Sequence, residues 1–287
     1  MKGRHKMISA MFRDGRIISI NEYNDELHSQ QIYCIDKSCK APLVHVKGNE
    51  RTTPYFKTTG KNESKHTSSC GFYRPLSFEE SLSKINDYQS DFIDQGLSET
   101  VIKLSFNKLD PDYEPRKIQR KDKDEEKKNK ETIKIKNETA PPNSISSLKS
   151  IVKLFSTYEP DILSSILIQV KGHKIPISNL ILSQEVAHEK LWSDMAVLNL
   201  PYLVHGEIEA INRREKVIYL NFKKINNIPF SIVIFEKYFK YFTYTDEELI
   251  GKYILSWGHL HKNTFNDKSF TNLIIKSDGY IEIIKKG

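Results

Sequence analysis

Apolar residues recur at helical spacing in "PLSFEESLSKINDYQSDFIDQGL". Phe78, Leu82, Ile85 and Phe92 share one side, and Glu79, Glu80, Asp87, Asp91 and Asp94 take the other. That spacing predicts an amphipathic helix with an acidic solvent face. The strand-like "ETVIKLSF" follows it, and upstream "QQIYC" and "APLVHV" read as short strands, with a turn at Lys47-Gly48-Asn49. Beyond position 145, "SISSLKSIVKLFSTYEPDIL" puts Leu148, Ile151, Val152 and Phe155 on one side of a short helix that breaks at Pro160. "SSILIQVKGHKIPISNLIL" predicts a strand pair around Lys171-Gly172, and "SQEVAHEKLWSDM" a helix capped by Ser183.

In the last ninety residues the period changes from helical to two. "YLVHGEIEAINRREKVIYLNFK" reads as strand, polar turn and strand, and "PFSIVIFEKYFKYF" as a third strand running into a short aromatic segment. "TDEELIGKYILSWGHLHK" predicts a helical turn and a fourth strand over 252–261, and "FTNLIIKSDGYIEII" a fifth, kinked at Asp278-Gly279. Short strands at regular spacing predict a small β-barrel. Gly206 and Gly251 fall where such barrels bend sharply or pack closely. The stretches "HGEI", "IVIFEKYFKYF", "LIGKYILSWGHL" and "LIIKSDGYIEI", in that order, resemble an OB-fold. The likeness is to single-strand-binding modules of the replication protein A type and to anticodon-binding modules, over residues 200–285.

Between these folded stretches lies "RKIQRKDKDEEKKNKETIKIKNETAPPN", within an interval, 107–145, whose many charges nearly balance; closed by Pro141-Pro142, it reads as a solvated linker. The expected class is therefore α+β in four parts. Residues 1–106 form a zinc-ribbon-like module with the acidic helix, and 107–145 a disordered charged linker. Residues 146–199 form a helical and hairpin segment, and 200–287 the OB-like barrel.

Composition narrows the setting. The 287 residues are 38 % hydrophobic and 10 % aromatic, enough for real cores, and no apolar run approaches the ~20 residues of a membrane helix. The basic N-terminus has too short an apolar part for a secretory signal. Three cysteines are a poor basis for a disulfide framework, so a cytoplasmic location is expected.

All three cysteines fall between positions 34 and 70, at C-x4-C and H-x3-C spacing with His66. Cys34, Cys39, His66 and Cys70 make a Cys3His set, which suits a closed structural Zn2+ site with no open coordination position. His28 and His45 lie nearby, each read as a strand or loop histidine rather than a fifth ligand. The run "YCIDKSCKAPLVHVKGNERTTPYFKTTGKNESKHTSSC" resembles the N-terminal zinc-finger region of CoiA-like competence proteins, over roughly the first eighty residues. Here the Pro-x-Phe element reads Pro54-Tyr55-Phe56, without the family's two histidines. That family carries a nuclease domain after the finger. Such a domain needs an acidic residue on one strand and Glu-x-Lys on the next. The Glu-x-Lys matches in the stretch that follows, Glu125 to Lys127 and Glu126 to Lys128, sit in the charged interval. The expectation is a protein without enzymatic activity.

The formal net charge is +7, with most of the surplus in the first 75 residues. On the second barrel strand, alternation sends Ile218, Leu220 and Phe222 inward and Tyr219, Asn221 and Lys223 outward. In the resembling single-strand-binding modules an aromatic at the place of Phe235 stacks on a base. Aromatic platforms beside lysines suit unpaired strands, because bases stack on the rings and lysines meet phosphates. Tyr219, Lys223, Phe235, Lys237 and Trp257 are the candidate nucleic-acid face, although aromatics in a small barrel also serve as core. The expected function is nucleic-acid binding, with single strands favoured. The alternatives are a protein–protein adaptor within a larger complex and a CoiA-like nuclease-associated protein.

Overall fold

The computed structural model describes residues 6–28, 31–50, 52–97, 100–114, 141–197, 199–265 and 268–285. It is a mixed α+β fold built mostly of sheet, and among the described residues the strands make three sheets. The first holds β1 (Ser9–Met11), β2 (Ile17–Ser19), β3 (Ile32–Tyr33), β4 (Pro42–Val46) and β5 (Tyr55–Lys57), in the order β2-β1-β3-β4-β5. This sheet curls until its edge strand β5 meets the chain just before β1. The Met7 N–H donates to the Phe56 carbonyl at 3.0 Å and the Phe56 N–H donates back at 2.8 Å. Met7, Phe12, Ile18, Leu43, Phe56 and Phe72 fill the space it encloses.

Helix α1 (Phe78–Asp94) starts at a capping box, with Ser77 and Glu80 exchanging side-chain-to-backbone bonds. The expected apolar side is buried, but its residues divide between two cores. Tyr88 and Phe92 complete the small N-terminal one, while Phe78, Leu82 and Ile85 join a larger core that runs through to Ile284.

The second sheet contains β6 (Thr100–Leu104), β7 (Ser144–Ile145), β8 (Ile166–Val170) and β9 (His173–Pro176), in the order β7-β6-β8-β9. The strand after the acidic helix, expected within the N-terminal module, instead lies in this second sheet. It pairs in parallel with both β7 and β8, whose sequence positions lie far beyond it. The ends of the expected linker are also built in. Phe106–Leu109 forms a 3-10 turn with Phe106 buried, and Ile145 is buried in β7. Residues 115–140 of that interval lie outside the described residues. Helices α2 (Leu148–Thr157) and α3 (Pro160–Ser164) precede β8. The β8–β9 hairpin turns at Lys171-Gly172 with positive φ at both, as the sequence predicts. Then come α4 (Ile177–Leu180), β10 (Ile181–Ser183) and α5 (Gln184–Trp192), the last capped by Ser183, whose Oγ accepts from the Val186 N–H.

Asp161 ties the two parts together. It is fully buried in α3, and its Oδ2 accepts the Ile8 and Ser9 N–H groups at 2.6 and 3.1 Å. From α1, Gln89 reaches the Ser164 carbonyl and accepts from Ser178.

The third sheet has seven strands: β10, β11 (Tyr202–Arg213), β12 (Val217–Phe222), β13 (Phe230–Phe235), β14 (Tyr253–Phe265), β15 (Lys268–Ile274) and β16 (Ile281–Ile284). Helix α6 (Asp246–Leu249) lies before β14. β11 pairs with β12, β12 with β13, β13 in parallel with β15, and β15 with β14; β14 then returns to β11. Five pairings therefore make a closed circuit, the finding nearest to the expected barrel. The stretch read as one kinked fifth strand is two, β15 and β16, parted by a 3-10 turn at Asp278–Tyr280 and bonded to different halves of β14. Ile218, Leu220 and Phe222 face the inside, as their alternation predicts, with Phe230, Ile232, Ile234 and Leu273. Gly206 is needed for close approach: a Cβ there would stand 2.7 Å from the Phe222 ring and 2.8 Å from Gln184 Oε1.

Candidate metal centre and outer face of the strand ring

Two chain reversals bring the four expected ligands together. Cys34 leaves β3 and bonds its N–H to the Ala41 carbonyl. The chain then doubles back as the Cys39 and Lys40 N–H groups donate to the Asp36 carbonyl, with Lys40 in the left-handed region. In the second reversal, the Cys70 N–H donates to the Thr67 carbonyl and folds His66 back toward Cys70. The Sγ atoms of Cys34, Cys39 and Cys70 and a ring nitrogen of His66 all lie within 4.8 Å of one another, an arrangement that could hold a metal ion. Cys34 and Cys70 stand 3.6 Å apart, and His66 Nδ1 is 3.5 Å from Cys39 and 3.4 Å from Cys70. No pair is bonded as a disulfide, which needs ~2.05 Å.

Electrostatics favour a cation between these groups. Burial pushes the Cys34 thiol well above its ordinary value, and hydrogen bonds from Cys34 and Cys70 hold Cys39 below it. Three thiolates in one buried space repel one another strongly, and a dication removes that penalty.

Asp36, inside the C-x4-C loop, carries the surrounding support and was not singled out in the sequence. Its carboxylate accepts the Ser38 N–H and hydroxyl, the Gly71 N–H at 3.0 Å, the Tyr88 hydroxyl at 2.7 Å and Lys84 Nζ at 2.8 Å. Burial raises its pKa, but the bonds from Lys84, Ser38, Tyr88 and Gly71 outweigh that and hold it at about 2. One buried charge therefore joins both reversals to α1. The only early sign was Lys84 and Tyr88 four apart on the predicted helix. His45 and His28 stay out of the cluster: His45 pairs with Asp25, and His28 accepts from the Asn24 N–H. The two Glu-x-Lys matches lie outside the described residues.

The strand ring presents an outer face whose side chains stand in rows set by the register. Asn221 is opposite Ser231, Ser231 opposite Asn272, and Asn272 opposite His261; the neighbouring row runs Asn212, Tyr219, Val233, Ile274, His259. A recess of about 340 Å³ opens on this face. Asn212 and Arg214 come from the end of β11 and the turn beyond it, Tyr219 and Asn221 from β12, and Ser231 from β13. Asn263 and Thr264 close it from β14, with Phe270 and Asn272 from β15. The Arg214 guanidinium lies 5.6 Å from the Tyr219 ring centre, and Ser231 Oγ donates to Asn221 at 2.8 Å.

The five residues expected on a nucleic-acid face do not all meet here. Tyr219 lines the recess. Phe235, 43 % exposed, lies beyond it on the end of β13, and Lys237 is exposed in the next turn with its Nζ over the Tyr238 ring. Lys223 is exposed and stands 4.0 Å from Glu207. Trp257 does not line this recess: it is 6 % exposed and packs edge-on against Phe106, at 5.1 Å between ring centres. β14 passes from one partner strand to the other at this point, and the side chain turns toward the second sheet. Sequence reasoning missed Asn212, Asn263, Phe270 and Asn272, which are joined only by the pairing of distant strands. No protein-family model matches the chain, and no curated protein sequence does. No helix among the described residues is long and apolar enough to cross a membrane.

Proposed function

We propose that the chain binds single-stranded nucleic acid along the outer face of an OB-type barrel, beside a basic N-terminal module held together by zinc. The amide-rich recess carries this reading. OB barrels bind oligonucleotides on the face of their second and third strands, between the loop joining the first two strands and the loop joining the last two. The recess draws on the corresponding places here: Arg214 past β11, Tyr219, Asn221 and Ser231 on β12 and β13, and Asn263, Thr264 and Phe270 where β14 ends and β15 begins. Two rings offer stacking surface, the four Asn amides and Ser231 offer hydrogen bonds to base edges, and Arg214 offers charge to phosphate.

For the metal, zinc fits the spacing. Zn–S of ~2.3 Å and Zn–N of ~2.0 Å give tetrahedral edges of about 3.8 Å between sulfurs and about 3.5 Å from sulfur to nitrogen. The corresponding separations here are 3.6, 3.5 and 3.4 Å. Four protein ligands leave no position for water, so the ion's role is structural.

Fluorescence anisotropy with single- and double-stranded DNA and RNA at two salt concentrations tests the binding. Single strands should bind more tightly than duplexes. Tyr219→Ala should weaken them by about 1–3 kcal/mol, the worth of a stacked base, with the salt dependence unchanged. Wild-type protein that ignores every oligonucleotide at low salt would refute the proposal and leave the adaptor reading.

A further inference from the structure

A second recess, also of about 340 Å³, lies two residues further along the same face. β14 contributes Asn263 to the first and His261 to the second; β15 contributes Asn272 to the first and Ile274 to the second. Residues two apart on a strand share a face and lie ~7 Å from each other, so the two recesses are neighbours along that face.

Among the described residues, the second recess is also lined from outside the ring. Phe106, Asn107 and Asp110 stand across it from the turn after β6, and Val170 and Lys171 stand across it from the β8 hairpin. This wall is fastened to the ring: Lys276 Nζ contacts Asp110 and Asp112 at 2.9 Å, Ser277 Oγ donates to the Leu109 carbonyl, and Phe106 packs on Trp257. Trp257, Ile274 and Tyr280 give the recess an apolar floor. Lysine and histidine side chains stand at its rim. Lys276 is paired with Asp110 and Asp112, whereas Lys171 is exposed and its Nζ donates to the Asn199 carbonyl. His259 is held below its ordinary pKa, first by burial and then by the charges of Lys171, His261 and Lys276, a local positive field that an anion would relieve.

We propose that this recess takes the terminal nucleotide of a single strand lying along the face through both recesses, its base on the apolar floor and its terminal phosphate against Lys171, His259 and His261. The proposal rests on the single-strand reading above and makes the protein an end-recognising one. On this proposal the turn after β6 and the β8 hairpin stop the strand, so a strand without an end cannot fill the recess.

The test is competition against an internally labelled single strand, using unlabelled strands of one sequence in three forms: linear with a terminal phosphate, at each end in turn; linear without one; and circular. The phosphorylated linear strand should compete about tenfold better than the circle, the scale of one stacked base. Lys171→Ala should bring it down to the level of the linear strand without a phosphate, which keeps the stacked base, and its exposed side chain makes that variant safe for folding. Linear and circular strands that compete equally would overturn the proposal while leaving single-strand binding intact. A nucleoside monophosphate that raises the Tm while linear and circular strands remain equal would also overturn it, assigning the recess to a free nucleotide. If none of the strands competes, single-strand binding itself fails, and end recognition with it.

Discussion

Asp161 should make the stability of the whole chain depend on pH in an unusual direction. Its carboxyl is fully buried, and burial raises its pKa to about 7, against the opposing effect of the backbone N–H groups of Ile8, Ser9 and Ile162. In the unfolded chain an aspartate titrates at ~3.9. Between these values the folded protein holds a proton that the unfolded chain has released, so stability must fall as pH rises. The penalty is absent below about pH 4, grows through the window from about 4 to about 7, and levels off above it. Worked from these two values, the change from about pH 5.5 to about pH 8 is a loss of about 2 kcal/mol. Urea unfolding of wild type and Asp161→Asn at both pH values isolates it. The amide cannot titrate and loses at least one backbone bond at either pH, so it shifts both midpoints by a constant amount. Wild type should exceed the variant by about 2 kcal/mol more at the lower pH. A difference that is the same at both would mean that Asp161 is ionised in the fold, and that the contact between the N-terminal sheet and α3 carries no buried proton.

Three further outcomes follow from the packing. The purified protein should hold one equivalent of zinc by elemental analysis, and Cys39→Ser should lose it; circular dichroism should then show the small N-terminal core melting and the larger core retained at reduced stability, since α1 serves both. Asp36→Asn should weaken zinc affinity by about 10–100-fold in a chelator competition, because the neutral side chain can no longer hold Lys84, Tyr88 and both reversals at once. Trp257→Ala should cost about 3–5 kcal/mol of unfolding free energy, as expected for a buried ring, whereas Phe235→Ala on the exposed end of β13 should leave the Tm nearly unchanged.

What could be read directly from the sequence was whatever depends on neighbours within a few positions. Three thiols and one histidine crowded into one short interval identify the ligand set without any knowledge of the sheet around them. The buried side of α1, the Lys171-Gly172 turn, the Ser183 cap and the in-out alternation of β12 follow from helical and strand periods alone. The tertiary structure decided everything that joins distant positions. Residues 100–104 read correctly as a strand, but their partner at 166–170 lies across the charged interval, and no local period encodes that choice. Asp36 and Asp161 are ordinary loop and helix acids in the sequence. They matter because folding removes them from water and surrounds them with donors from elsewhere. The two recesses depend on register most of all. Asn212, Asn221 and Asn272 share a face only because β11, β12, β13 and β15 pair as they do, and a slip of one residue would turn each of these side chains inward. Trp257 shows the same limit: its place in the sequence suited a platform or a core equally, and the sheet packed over β14 made it core.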